Sequence, residues 1–303
     1  MHMGLDAEFL ILNKNVPLDA NDYMRDMGGH FGKDGSGRPF EIRPEPCDSV
    51  AGLIKQIHGC LSAGYTYLLA KDFVVQDTKW VTQSIHHPLG AHLHFNLMED
   101  QYQDHWEMFC HTLDHLVTLP LSLKADAKCL QERFDHGYGL LPQGDDSKDS
   151  FRRSKKFASQ CAHLEYRPPW GFWADPVEAE IILQTYFNVA CFAMDRSRTA
   201  GLMARYSLRK EARPYPQSRP AVEWLKALEI LKQEGLSAPG FEEYIRDPGF
   251  APSECILERW KPEKLKTNKI TTVNRDREII FQNGWDELMQ RTEVMEGNWR
   301  VGE

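Results

Sequence analysis

The sequence predicts an α+β fold with a largely antiparallel sheet. Three observations carry that expectation. Strand-like and helix-like segments follow one another at irregular spacing, without the regular strand–helix repeat of a parallel sheet. The strand candidates are short and bounded by proline, glycine or asparagine. The four clearest ones alternate ionisable with apolar residues, which suits a sheet with one polar face and helices packed on the other.

The elements follow in order. Residues 4–12 read as a strand closed by Asn13-Lys14-Asn15. The glycine-rich stretch 28–37 reads as a loop or tight turns. Residues 39–43 form a short strand closed by Pro44-Glu45-Pro46. Asp48 or Ser49 caps a helix to about residue 69, with Leu53, Ile57 and Leu61 on one face. Residues 73–75 and 81–84 are weak strand candidates, and 90–97 is a stronger one. Residues 104–124 read as helix, and 163–167 as a strand ended by Pro168-Pro169. Asp175-Pro176-Val177-Glu178 is a helix start, with Asp175 as cap and Pro176 at the first helical position. That helix is expected to run to about residue 206. A further helix spans 218–234, stopped by Gly235. Arg209 to Arg219, with two prolines and Pro220 directly after, is the linker candidate, dividing residues 1–208 from an extension over 209–303.

Composition narrows the function classes. The 303 residues are 42% hydrophobic and 26% charged, ordinary for a globular protein with a core that needs no disulfides. The net charge of -8 argues against coating nucleic acid. Seven scattered cysteines, an odd number with no C-x-x-C pair, fit a reducing cytoplasm. No apolar run approaches the roughly 20 residues of a membrane span, and residues 5–12, interrupted by Asp6 and Glu8, do not read as a signal segment.

The alternation carries the chemistry, because residues i and i+2 of a strand share a face. Asp6 and Glu8 oppose Leu5, Ala7 and Phe9. Glu41 and Arg43 oppose Phe40 and Ile42. His92, His94 and Asn96 oppose Ala91, Leu93 and Phe95. His163, Glu165 and Arg167 oppose Leu164 and Tyr166. A single such pair is ordinary on a solvated strand. Four in one sheet would gather acids, imidazoles and arginines on one face. Carboxylates with a histidine suit hard divalent cations such as magnesium or manganese. Arginines suit phosphate oxygens through their planar donor fork. Together they point to phosphoryl chemistry, where positioning and charge stabilisation dominate.

At these residues the sequence resembles a known superfamily. Gly4-Leu5-Asp6-Ala7-Glu8-Phe9 is similar to the G-x-[DE]-x-E strand of glutamine synthetase and glutamate–cysteine ligase relatives. Gly90-Ala91-His92-Leu93-His94-Phe95 resembles their G-x-H-x-H strand, and Leu164-Glu165-Tyr166-Arg167 their late E-x-R strand. The segment Asp34 to Pro44, which reads D-G-x-G-x-x-x-E-x-R-P, resembles, one residue shorter, the D-G-x-x-G-x-x-x-E-x-R-P pattern of the phage-type, phiEco32-like COOH–NH2 ligases, or amidoligases. Tyr138-Gly139, followed by Arg152 or Arg153, resembles the tyrosine-glycine and arginine ahead of that group's last strand. The match covers about residues 4–206.

The resemblance implies a glutamine-synthetase-like catalytic domain and an ATP-dependent ligase that joins a carboxylate to an amine through an acyl phosphate. It implies that Asp6, Glu8, Glu41, His92 and Glu165 bind two or more magnesium ions, with manganese as the alternative. Arg167 and Arg152 or Arg153 would neutralise the transferring phosphoryl group, and Arg43 would orient a carboxylate or phosphate. His94, Asn96 and Arg167 are the nucleotide-side candidates. The substrates expected are small-molecule or peptide carboxylates and amines, in the host cytoplasm if the protein is phage-encoded.

Other motifs carry less. His111 and His115 sit at i and i+4, but Thr112 replaces the glutamate of H-E-x-x-H. The glycines of 28–37 lack P-loop spacing. Trp170 and Trp173 suit core packing or stacking on adenine. Lys155 and Lys156 read as solvated charges. Three rival functions stay open: phosphoryl transfer to a nitrogen, a metal hydrolase using His92 and His94, and a non-catalytic virion-associated binding protein. The identities of the carboxylate and amine, and the oligomeric state, are not encoded in any motif.

Overall fold

A computed structural model describes residues 1–24, 30–35, 37–70, 78–136, 151–154, 161–208, 221–247 and 260. In chain order these form β1 (Met3–Asn13), β2 (Val16–Pro17), α1 (Ala20–Tyr23), β3 (Phe31–Lys33), β4 (Phe40–Ile42), α2 (Val50–Ala70), β5 (Thr78–Val81), β6 (Ala91–Met98) and α3 (Glu99–Leu113). A π-helical turn (Asp114–Thr118), α4 (Leu119–Leu121) and a 3-10 turn (Ser122–Lys124) continue α3. Then come α5 (Ala127–Asp135), β7 (Phe151–Ser154), β8 (Cys161–Tyr166), α6 (Pro176–Ala193), α7 (Arg196–Arg205), α8 (Ala221–Gln233) and α9 (Phe241–Arg246).

The strands form an antiparallel sheet in the order β3-β4-β1-β6-β8-β7. The far end of β1 also pairs with β2 and β5. The α+β expectation therefore holds: a large antiparallel sheet, with helices on its apolar face. The apolar halves of the four alternating strands make that face. Leu5, Ala7 and Phe9 of β1 are buried beside Phe40 and Ile42, Ala91, Leu93 and Phe95, and Leu164 and Tyr166. Each large side chain withdrawn from water contributes about 1.5–3 kcal/mol. Phe9 stacks on Trp80 at 5.1 Å and meets the edge of Trp173 at 5.7 Å. Trp170 and Trp173 are both fully buried, so they are core residues and not a surface for adenine.

One polar network anchors β8 from below. Tyr166 Oη donates to Asp114 Oδ1 at 2.5 Å, and Thr118 Oγ1 lies 2.6 Å from Tyr166 Oη and 2.9 Å from Tyr186 Oη. The π turn brings Asp114 and Thr118 to the same tyrosine, whose immediate neighbours in sequence are Glu165 and Arg167.

Three local expectations need correction. The helix predicted over 176–206 is two helices. Asp175 starts the first as expected, accepting from Val177 N and Glu178 N at 2.9 and 3.2 Å. Asp195, in extended conformation, then caps α7 by accepting from Arg198 N at 3.0 Å. A side chain that satisfies the start of a new helix competes with continuing the old one. The 28–37 stretch is not all loop: it contains β3, which pairs with β4 beyond it. Its Phe31 ring packs where a Cβ on Gly64 would lie only 2.0 Å away, so α2 needs glycine there. The strand predicted at 81–84 occupies Thr78–Val81 instead; residues 73–75 lie outside the described residues. Gly235 ends α8 at φ 67°, as expected.

The elements beyond residue 208 share the same core. Leu228, Leu231, Phe241 and Trp260 are buried with it. Ala238 N donates to Thr185 Oγ1 at 3.1 Å, Asn188 Nδ2 to Leu236 O at 3.3 Å, and Trp260 Nε1 to Trp173 O at 2.9 Å. Among the described residues no helix is long and apolar enough to cross a membrane.

Candidate active site

The register aligns the polar halves of the strands. Glu8 on β1 faces Glu41 on β4, Asp6 faces His92 on β6, and His94 faces Glu165 on β8. Side chains directly opposite each other in an antiparallel pair share a face. Four strands thus place Glu41, Glu8, Asp6, His92, His94 and Glu165 on one side, opposite the buried core.

Contacts link these groups across the sheet. Arg43 Nη2 forms an ion pair with Glu41 Oε2, and donates to Lys33 O at 2.9 Å. Glu8 Oε2 accepts from Gly90 N at 2.8 Å. The His92 ring lies between two carboxylates, its Nε2 3.7 Å from Glu8 Oε1 and its Nδ1 3.5 Å from Glu165 Oε1. Arg167 Nε lies 3.3 Å from the same Glu165 oxygen. His94 Nε2 is 3.0 Å from Asp6 Oδ2. Gly90 is required here: a Cβ on it would lie 2.6 Å from Arg133 Nη1 and 2.7 Å from His92 Nε2.

Glu8, Asp34 and Glu41 each offer a carboxylate oxygen, all within 4.8 Å of one another. Glu8 and Glu41 are buried. Burial, with the charge of Asp34, pushes the Glu8 carboxyl up to about 8, against the pull of Arg133, the Gly90 N–H and Arg167. Burial and Asp6 push Glu41 up to about 9; Arg43 opposes this, while Glu8 and Asp34 add to it. Acids that resist ionising beside one another become ionised when a divalent cation joins them. Oxygen-only donors at this spacing fit magnesium or manganese. For His94 burial disfavours the charged ring, but the hydrogen bond and charge of Asp6, with Glu165, hold it above its ordinary value.

The expected residues are distributed as follows. Glu8 and Glu41 sit in the carboxylate trio; Asp6, His92 and Glu165 lie beside it, paired with His94 and Arg167. Asn96 is on the same face but four residues beyond His92, roughly 13 Å along the strand. The register sets Arg152 opposite Glu165 and Arg153 opposite Leu164. Tyr138, Gly139, Lys155 and Lys156 lie outside the described residues. His111 is buried, and neither it nor His115 joins a metal-capable group among the described residues.

Two site residues were not expected. Asp34 sits in a turn of the glycine-rich stretch, where no periodicity marks a side chain's direction. Its place at the head of Asp34-Gly35-Ser36-Gly37, ahead of Glu41 and Arg43, was the available signal. Arg133 comes from α5, a helix not expected from the sequence, whose buried positions include Cys129, Leu130 and Arg133.

A polar sheet face with a carboxylate trio, flanking imidazoles and arginines defines a candidate site for hard cations and anionic substrates. The family described as phage phiEco32-like COOH.NH2 ligase-type 2 matches residues 3–189, more than half of the chain. The chain belongs to that family of carboxylate–amine ligases, and the match spans every strand of the site. No curated protein matches the chain at a significant level. Among solved structures, a bifunctional glutathione synthetase from Pasteurella multocida aligns at 12% identity with a TM-score of 0.42. That alignment covers 96% of this chain and 53% of the synthetase chain, so this chain spans about half the length of that protein. The likeness is too distant to transfer residues or activity.

Proposed function

We propose that the protein is an ATP- and magnesium-dependent ligase that activates a carboxylate as an acyl phosphate and couples it to an amine. The observation that carries this reading is the trio Glu8, Asp34 and Glu41, with oxygens within 4.8 Å, on a face that also holds Arg43 and Arg167. Membership in a carboxylate–amine ligase family supports the bond formed.

In this reading Glu8, Asp34 and Glu41 hold magnesium, or manganese, with Asp6, His92 and Glu165 completing the ligand set. When bound, the cation supplies positive charge against the polyphosphate oxygens. Arg43 orients Glu41 and favours its ionised form, which the bound cation completes. Arg167, fixed by Glu165, and Arg152 offset charge on the transferring phosphoryl group. His94, held by Asp6, and Asn96 lie on the nucleotide side. A substrate carboxylate oxygen bonds to the γ-phosphorus as the bond to ADP breaks. The amine then attacks the acyl carbon, loses a proton, and phosphate departs. Direct condensation of a carboxylate with an amine is unfavourable in water, so the carboxylate oxygen is first converted by the phosphoryl group into a better leaving group. Residues 1–208 form the catalytic module, with 209–303 as a supporting extension.

ADP release is the test, measured with ATP, magnesium and panels of carboxylates and amines. Release that needs both partners is expected. Phosphate retained on a nitrogen would replace the ligase reading with a kinase, and amide cleavage without ATP would replace it with a hydrolase.

A further inference from the structure

Helix α5 carries a guanidinium that is only 2% exposed, that of Arg133. A buried charge is costly unless its donors are matched. Nη1 donates to Pro88 O and Nη2 to Arg167 O, both at 2.6 Å. These carbonyls belong to the two segments that deliver the site. Pro88 lies just before Gly90, whose N–H holds Glu8, and before His92 on β6. Arg167 follows Glu165 on β8 and is itself in the site. One planar fork therefore fixes the spacing of both segments, which a single ammonium does not do. The fit is close: a methyl on Gly90 would lie 2.6 Å from Nη1.

We infer that Arg133 is a positioning residue, clamping the Pro88–Gly90 and Arg167 segments so that Glu8, His92 and Arg167 meet in working geometry. This rests on the proposed cation site at Glu8, Asp34 and Glu41. A clamp and a mere neighbouring charge predict opposite signs. If Arg133 acted only through its charge, Arg133→Met would strengthen cation binding and Arg133→Lys would leave it unchanged. If it acts as a clamp, both substitutions weaken binding.

The test titrates the full chain with Mn2+ alone, well below the lowest melting temperature of the set. Wild type is compared with Glu41→Gln, Arg133→Lys, Arg133→Met and Leu130→Ala. Leu130 is buried on the same helix and serves as the destabilised control. Both Arg133 variants are expected to bind Mn2+ about 10–100-fold more weakly, the usual cost of losing support behind a metal ligand. Leu130→Ala is expected to keep wild-type affinity. Wild-type affinity in Arg133→Lys, tighter binding in Arg133→Met, or equal loss in Leu130→Ala overturns the clamp while leaving the cation site intact. Should the Arg133 variants not fold, Gly90→Ala displaces the same guanidinium from the other side; unchanged affinity there overturns the clamp as well. Mn2+ binding that is absent in wild type, or indifferent to Glu41→Gln, removes the cation site itself and the clamp with it.

Discussion

Glu41 on β4 stands directly opposite Glu8 on β1, and both carboxyls are buried. Their pKa values are raised, to about 9 and about 8, from an ordinary 4.5. A raised acid keeps its proton in the folded state after the unfolded chain has released its own. Its burden on stability is absent below the ordinary value and grows as pH rises towards the folded value. Glu8→Gln removes that burden. Without metal, Glu8→Gln and wild type are expected to melt together near pH 5, with the variant higher by at least several °C near pH 9. Saturating magnesium should reverse the order, because the amide is a poorer ligand. Thermal melts across this range, with chelator and with magnesium, check both signs.

The trio and its neighbours divide the labour differently. Asp34→Asn and Glu41→Gln are expected to weaken Mn2+ binding. Glu165→Gln, next to Arg167 and His92, is expected to lower turnover at least about a hundredfold even at saturating magnesium. Near-normal ADP release in Glu165→Gln would exclude it from the chemistry.

The two arginines of β7 are expected to separate by register. Arg152 stands opposite Glu165, whereas Arg153 stands opposite Leu164. Arg152→Lys keeps the charge but loses the donor fork, and should slow turnover at least about tenfold. Arg153→Lys should leave turnover within about twofold, as expected for a substitution away from the reacting groups. Steady-state rates at saturating ATP decide between them, and the reverse ranking would mean that β7 presents its other face.

The site was legible in the sequence to the extent that strand alternation encodes it. Asp6, Glu8, Glu41, His92, His94 and Glu165 fall at positions where period two fixes the face, and the register brings them together. Asp34 lies in a turn, where no period operates. Arg133 was hidden for a different reason: a helical arginine reads as solvated, and no sequence pattern marks the two carbonyls that meet its fork in the interior. The split at Asp195 was readable, since an aspartate three residues before the Arg198 N–H that it caps is a helix-start signal. The pairing of β3 with β4 was not, because glycines surround so short a strand.

The C-terminal elements set a limit on truncation. A chain ending at residue 208 would expose the surfaces that Leu228, Leu231, Phe241 and Trp260 cover, and would remove the donors to Thr185 and Trp173. It is expected to be poorly soluble, or to melt at least about 10 °C below the full chain. Matched melting temperatures for the full chain and residues 1–208 would show that the extension contributes little to the core.

Hydroxylamine discriminates an acyl phosphate from every rival intermediate. The intermediate is electrophilic at its acyl carbon, so a small strong nucleophile in place of the amine should intercept it. The protein is incubated with ATP, magnesium, hydroxylamine and a panel of amino acids and short peptides. A hydroxamate is expected in equal amount with ADP, lost in Glu165→Gln and suppressed in Arg167→Lys more strongly than ATP binding. A carboxylate that clearly stimulates ADP release yet never yields a hydroxamate would contradict it.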